Sequence, residues 1–183
     1  MRYLVLVDSS NLKYSAQANS SRRVNLDFEK VDIKIKEEVC FNPEEDKLKY
    51  IFYVTSPEVR KGGVDFLIAN LKRKGHEVKN RVLKRHNASR KYYNSDWDAA
   101  ICVDAFVGAV HNDYDTLILG SGDGDLMYLA HAISTFMNKS VIGFGFRKST
   151  AVEIVGSMDR FFFLDSSFVK DAVLSYGDKF KAV

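Results

Sequence analysis

Short runs of consecutive apolar residues alternate along the chain with longer stretches whose apolar residues recur every three or four positions. Residues 3–7, Tyr-Leu-Val-Leu-Val, are the first unbroken run and predict a buried strand. Residues 50–54, 115–119, 140–146 and 160–164 repeat the pattern, and 77–83 is a weaker version. Between them, Phe28, Val31, Ile35 and Val39 set a helix over 27–39. Val64, Leu67, Ile68 and Leu71 lie on one face of a second helix, which Gly75 stops. Helices are also predicted over 96–110 and 126–137, and Thr150 with Glu153 has the spacing of a capping box for a short one. Residues 8–25 and 84–95 are polar and predict loops, and 166–176 predicts a terminal helix. No internal repeat or low-complexity linker interrupts the series.

Alternating strands and helices with continuously apolar strands predict an α/β fold, its parallel sheet covered on both faces. In such sheets ligands bind at the carboxyl ends of the strands.

The length of 183 residues suits one domain, or one domain with a tail. Hydrophobic residues at 46% and charged residues at 28% are the balance of a globular protein. Cys40 and Cys102 are too few for a disulfide framework or a thiolate zinc site, and read as thiols in a reducing cytoplasm. No apolar run approaches the ~18 residues of a membrane span, and 3–7 is too short for a signal-peptide core. Net charge is only +3, but residues 72–91 hold nine bases against one acid, leaving the remainder at −5. A stretch of that kind attracts polyanions, although a solvated helix end has the same composition.

Carboxylates fall where the strand-end rule directs attention. Asp8 follows the first strand, Asp123 and Asp125 follow the fourth, and Asp98 opens the helix before the fourth. Each singly has an ordinary explanation as a turn residue or helix cap. Together they would repel one another unless a cation joined them or their pKa values were raised. Oxygen ligands without His or Cys suit Mg²⁺ or Mn²⁺. His76, His86, His111 and His131 are scattered, without metal-ligand spacing. A dinucleotide loop at Gly120-Ser-Gly-Asp-Gly124 is excluded by its carboxylate and its place after the fourth strand.

Leu6-Val-Asp-Ser-Ser-Asn-Leu12, Trp97-Asp-Ala-Ala-Ile-Cys-Val-Asp104 and Leu119-Gly-Ser-Gly-Asp-Gly-Asp125 occur in this order. They resemble the NYN domains, in particular the LabA-like branch of the PIN-like nuclease superfamily. Ser149-Thr-Ala-Val152 and Met158-Asp-Arg-Phe-Phe-Phe-Leu164 resemble that branch's closing pattern. The resemblance spans residues 1–165, leaving 166–183 as a C-terminal helical tail. It implies a three-layer α/β/α PIN-like, Rossmann-like domain with a mainly parallel central sheet and a metal-dependent ribonuclease site. Carried onto this chain, Asp8, Asp98 and Asp123 match the acids that hold Mg²⁺ or Mn²⁺. Asp125 matches the second acid of the fourth-strand motif, and Asn11 and Ser121 match polar residues that orient ligands or substrate. Asp104 matches a further acid; it lies about 240° round a helix from Asp98, so it stands behind the acids facing substrate. Leu126 stands where the family often has Phe, and Trp97 where a small apolar residue is common.

Two function classes follow. One is a cytoplasmic endoribonuclease whose basic stretch, with Lys84, Arg85, Arg90 and Lys91, grips a phosphate backbone near the stacking faces of Tyr92, Tyr93 and Trp97. Arg22, Arg23, Arg147 and Lys148 extend that track. Its partner is RNA, with DNA, a homo-oligomer and the number of metal ions left open. The other is a catalytically silent PIN-like module that docks RNA or protein. An intact acid set argues against it, because a pure binder has little reason to crowd carboxylates near a polyanion.

Overall fold

The structure, a computed structural model, describes residues 1–18, 20–21, 24–56, 62–82 and 97–171. Its elements are β1 (Arg2–Asp8), α1 (Ser9–Ala18), β2 (Val24–Leu26), α2 (Phe28–Glu38), β3 (Lys47–Ser56), α3 (Gly62–Arg73), β4 (Glu77–Val82), α4 (Asp98–Val110), β5 (Thr116–Gly120), α5 (Met127–Met137), β6 (Ser140–Phe146), α6 (Val152–Gly156), β7 (Arg160–Leu164) and β8 (Val169–Asp171).

Six strands form one parallel sheet in the order β4-β3-β1-β5-β6-β7. β1 sits at its centre, with Leu6 opposite Ile51 of β3 on one side and Leu119 of β5 on the other. Alternate residues feed two cores. Val5, Val7, Phe52, Val54 and Ile118 pack with Leu12 and Ala16 of α1, Val31 and Ile35 of α2 and Leu71 of α3. Leu4, Leu6, Ile51, Tyr53, Leu117 and Leu119 pack with α4, α5 and Ile154 of α6. Burial on both faces is why the strands read as unbroken apolar runs; all five residues of β5 are buried. β4 is an edge strand, largely exposed and rich in charge, which blunts further pairing.

The structure departs from the sequence expectations in five places. Residues 8–25 are not one loop: α1 fills Ser9–Ala18, anchored by only two buried apolar side chains, Leu12 and Ala16. That face is too sparse to announce a helix, and it holds because both residues reach the core. β2 pairs antiparallel with β8, Val24 opposite Asp171, in a separate two-stranded sheet. β8 and the short 3₁₀ turn Ser166–Phe168 stand where the terminal helix was expected; the rest of that helix, and the tail beyond residue 171, lie outside the described residues. The capping box at α6 does not form. Thr150 Oγ1 donates to the Phe146 carbonyl at 2.9 Å, and the helix has no side-chain cap. Finally, a 3₁₀ turn, Gly124–Leu126, precedes α5, which therefore starts at Met127.

Gly75, at φ +82°, ends α3 in a backbone conformation that glycine adopts without strain. No helix among the described residues is long and apolar enough to cross a membrane.

Candidate active site

Counted along the chain, the strands of the main sheet lie in the order 3-2-1-4-5-6. The direction of winding reverses between β1 and β5. Helices leave those two strands toward opposite faces, which opens a crevice at their carboxyl ends.

Asp8 closes β1 at that crevice and is 7% exposed. Its Oδ1 accepts from the backbone N–H groups of Ser10 and Asn11, each at 3.0 Å, so it caps α1. The Asn11 Oδ1 accepts from Gly122 N at 3.0 Å, tying the start of α1 to the loop after β5. In that loop Ser121 is buried and its Oγ accepts from Asp123 N at 3.2 Å. Asp123 Oδ1 in turn accepts from Asp125 N at 3.2 Å, while Asp125 is exposed. Both candidate acids thus use one oxygen to fix local backbone, which sets their orientation.

The loop is clasped from the other side as well. Gly122 O accepts from Ala151 N at 3.0 Å. A Cβ at Gly122 would meet Ser149 O at 2.7 Å and Thr150 Oγ1 at 2.9 Å, so only glycine fits. Thr150, which has the spacing of a helix cap, instead bonds the Phe146 carbonyl and helps position this loop. Its signal was present in the Ser149-Thr-Ala-Val152 segment.

Asp98 lies at the same rim. α4 runs back across the sheet from that end. At its start the Trp97 indole N–H donates to Thr55 Oγ1 at 3.0 Å, near the end of β3. Near its far end Gly108 abuts Tyr114 and Leu4 at the start of the strands. α4 also packs against the 3₁₀ turn that follows Asp123. Asp8 continues the alternation of Leu4 and Leu6, which face α4 and α5. Asp8, Asp98 and Asp123 therefore share one rim and one side of the sheet.

Asp104 stands apart. It accepts from Lys79 Nζ at 2.6 Å and from the Tyr53 hydroxyl. Burial, and then the bond to Asp104, push the Tyr53 hydroxyl well above its ordinary pKa, so it stays protonated as the donor.

Of the cationic residues, Arg147 and Lys148 lie exposed in the 3₁₀ turn after β6, with the Arg147 guanidinium 4.0 Å from the Phe163 ring centre. Lys84, Arg85, Arg90, Lys91, Arg22 and Arg23 lie outside the described residues. In the described part of the basic stretch, Lys74 pairs with Glu29 and Lys79 with Asp104, each at 2.6 Å. Part of that stretch is therefore neutralised within the fold. Trp97 offers no stacking face to a base: it is 4% exposed, with Arg81 4.5 Å above its ring and Tyr53 5.4 Å away.

A family model for the NYN domain matches residues 2–165. The chain belongs to the NYN domain family. NYN domains are members of the PIN-like nuclease superfamily, which agrees with the parallel sheet and the acids at its switch point. The chain is also similar to a crystal structure of a protein of unknown function from Vibrio parahaemolyticus RIMD 2210633, at 26% identity and a TM-score of 0.73, covering 92% of this chain and 96% of that one. No curated protein matches it.

For this NYN domain, a divalent metal must be judged against the donors present. Among the described residues no three His, Cys, Asp or Glu side chains gather into a ready-made cage. The single coordination sphere expected of Asp8, Asp98 and Asp123 is therefore not closed. Mg²⁺ does not require one: it keeps several waters and is commonly held by one or two carboxylates with substrate phosphates. Hard oxygen donors on two adjacent, cross-linked loops fit such an ion. Capping through one oxygen keeps them in place without a cation.

Proposed function

We propose that the chain is a metal-dependent ribonuclease of the LabA-like branch, cutting phosphodiester bonds of RNA with Mg²⁺ or Mn²⁺. The observation that carries this reading is the bond from Gly122 N to the Asn11 carboxamide, which locks the Asp8 loop to the Asp123 loop at the switch point. Asp8 and Asp123 would hold the ion, with Asp98 facing it from the start of α4. A divalent ion, when bound, polarises a phosphoryl oxygen as a Lewis acid. The chain's own residues do the rest. Asp125, exposed beside Asp123, would take a proton from a water or hold a second cation. Ser121 and Asn11 fix the loops that aim the acids, and Thr150 and Gly122 keep the β5 loop from drifting. The positive ends of α1 and α4 point at the same rim and favour an anionic substrate.

The test is cleavage of a fluorescent RNA oligomer with and without Mn²⁺. Metal-dependent turnover that disappears in Asp123→Asn supports the reading. RNA binding with no cleavage at saturating metal overturns it in favour of a silent binding module.

A further inference from the structure

Single exposed apolar side chains, such as Ile33 on α2 and Phe66 on α3, are ordinary on a protein surface. α4 is different. Its exposed positions are Ala99, Val103, Val107 and Val110, so its outward face carries no polar side chain. That spacing sets the four in one row along the helix. Val103, Val107 and Val110 are 58%, 50% and 68% exposed.

The apolar surface continues toward α5. Both helices run from the carboxyl rim back to the amino end, and they pack side by side. Ile101 of α4 and Ile133 of α5 are buried in the core they share with the sheet. Three residues past Ile101, Asp104 turns toward β4, where it meets Lys79. Three residues past Ile133, Phe136 makes the same turn on α5. α4 comes from β4 and α5 leads on to β6, so that turn points Phe136 toward α4. Phe136 is 75% exposed. Phe106 lies on the side of α4 away from Asp104, and so lines the same groove.

The chemistry of this face selects its occupant. Neither α4 nor α5 carries a Lys or Arg, and Asp104 is already paired with Lys79. A lipid surface favours an apolar row bordered by cations. A second copy of this chain favours a face without charge, because the same patch meets itself across a two-fold axis. Small residues such as Ala99 and the valines also let two helices approach to about 8 Å. The row with Phe106 and Phe136 offers roughly 500 Å² of apolar surface per copy. Two copies then bury about 1,000 Å², the lower bound of a specific interface.

We propose that this face is the interface of a reversible homodimer, in which the α4 helices of two copies cross antiparallel about a two-fold axis near Val103 and Val107. Asp98 opens α4 at the carboxyl rim, so the antiparallel crossing sends the two rims to opposite ends of the dimer and leaves both open. The interface does not depend on the nuclease reading.

The experiment is sedimentation velocity of the full chain over a concentration series. The wild type should pass from monomer to dimer across the micromolar range. Val107→Glu sets like charges close to the axis and should raise the dissociation constant at least ~30-fold. Val103→Lys should weaken association as well, and it carries the test if Val107→Glu does not give a folded circular dichroism spectrum. An equal mixture of the two variants should regain dimer, because opposite charges then meet across the axis. Phe66→Glu, on the other face of the sheet, should leave the curve unchanged. A monomer at every concentration, or a dimer that both α4 variants leave intact, overturns the proposal. So does a wild-type monomer that floats with phosphatidylcholine vesicles and loses this in Val107→Glu, which assigns the row to a lipid surface.

Discussion

Asp115 and Asp123 bracket β5, one before its first residue and one just after its last, and the chain treats them in opposite ways. Asp115, at the amino end of the sheet, accepts from Arg2 through both oxygens, at 2.5 Å from the guanidinium and 2.8 Å from the backbone N–H. Its neighbours follow suit. The Met1 ammonium pairs with Asp46, Arg160 with Glu38, and Asp159 accepts from Val141 N at 2.7 Å. Asp123, at the carboxyl end, has no ion pair among the described residues and holds only the Asp125 N–H. At one end, then, Met1, Arg2 and Arg160 meet acidic partners within the chain. At the other, Asp123 is positioned by local backbone and, among the described residues, is answered by no cation.

The largest expected effect breaks that contrast at the carboxyl end. Asp123→Asn should lower cleavage by on the order of 10²–10³-fold. Asn still accepts the Asp125 N–H, so the thermal midpoint should stay at or slightly above the wild-type value. Activity assays and a melt on the same preparation check both halves. Gly122→Ala comes next. Its Cβ would press on Ser149 O and Thr150 Oγ1, prying apart the loops that aim Asp123. Activity should fall roughly tenfold or more, with destabilisation of about 1–3 kcal/mol. Wild-type activity in this variant would show that the clasp does not position the acids.

The amino end should give the reverse pattern. Asp115→Ala removes the partner of Arg2 and should lower the melting midpoint by about 2–4 °C, with turnover per folded molecule unchanged. The Arg2 guanidinium holds the Asp115 carboxyl below its ordinary value. The stability it contributes is therefore complete above the unfolded value of 3.8 and is lost as pH falls through the lower folded one. Melts of wild type and Asp115→Asn should converge in that range.

The smallest effect belongs to His76, packed between Tyr50 and Phe52 and held below its ordinary pKa of 6.5 by burial. Below pH 6.5 the unfolded chain binds the proton more readily than the folded one, so stability declines down to the folded pKa and is complete above 6.5. His76→Gln should remove that slope without altering activity at neutral pH.

The inner strands of the main sheet, β1, β3, β5 and β6, were legible because burial on both faces leaves an apolar run that needs no partner to be recognised, whereas the exposed edge strand β4 left only a weak one. The candidate acids were legible because strand ends are rims in any doubly wound sheet. What escaped notice depended on distant partners. α1 is a helix because Leu12 and Ala16 reach the core and Asp8 caps it, which its polar composition conceals. Thr150 and Glu153 have the spacing of a cap, yet the Thr150 hydroxyl goes to the Phe146 carbonyl, and spacing alone cannot choose between the two. The basic stretch looked uniform, but Lys79 answers Asp104 across the gap between β4 and α4. No linear pattern separates a charge that meets its partner in the fold from one that waits for a ligand.

The pairing of β2 with β8 has a consequence for how the chain is made. Residues 24–26 leave the ribosome long before 169–171, and until the later strand arrives the earlier one is an edge with no neighbour. Closing so long a loop costs only slightly more than closing one half its length, so the delay carries little thermodynamic penalty. The hazard is association with another nascent chain. β2 is only three residues long, and its central Asn25 is exposed between two buried aliphatics. An edge that short and interrupted is a poor template, which lets the last seam of the domain wait until synthesis has passed it.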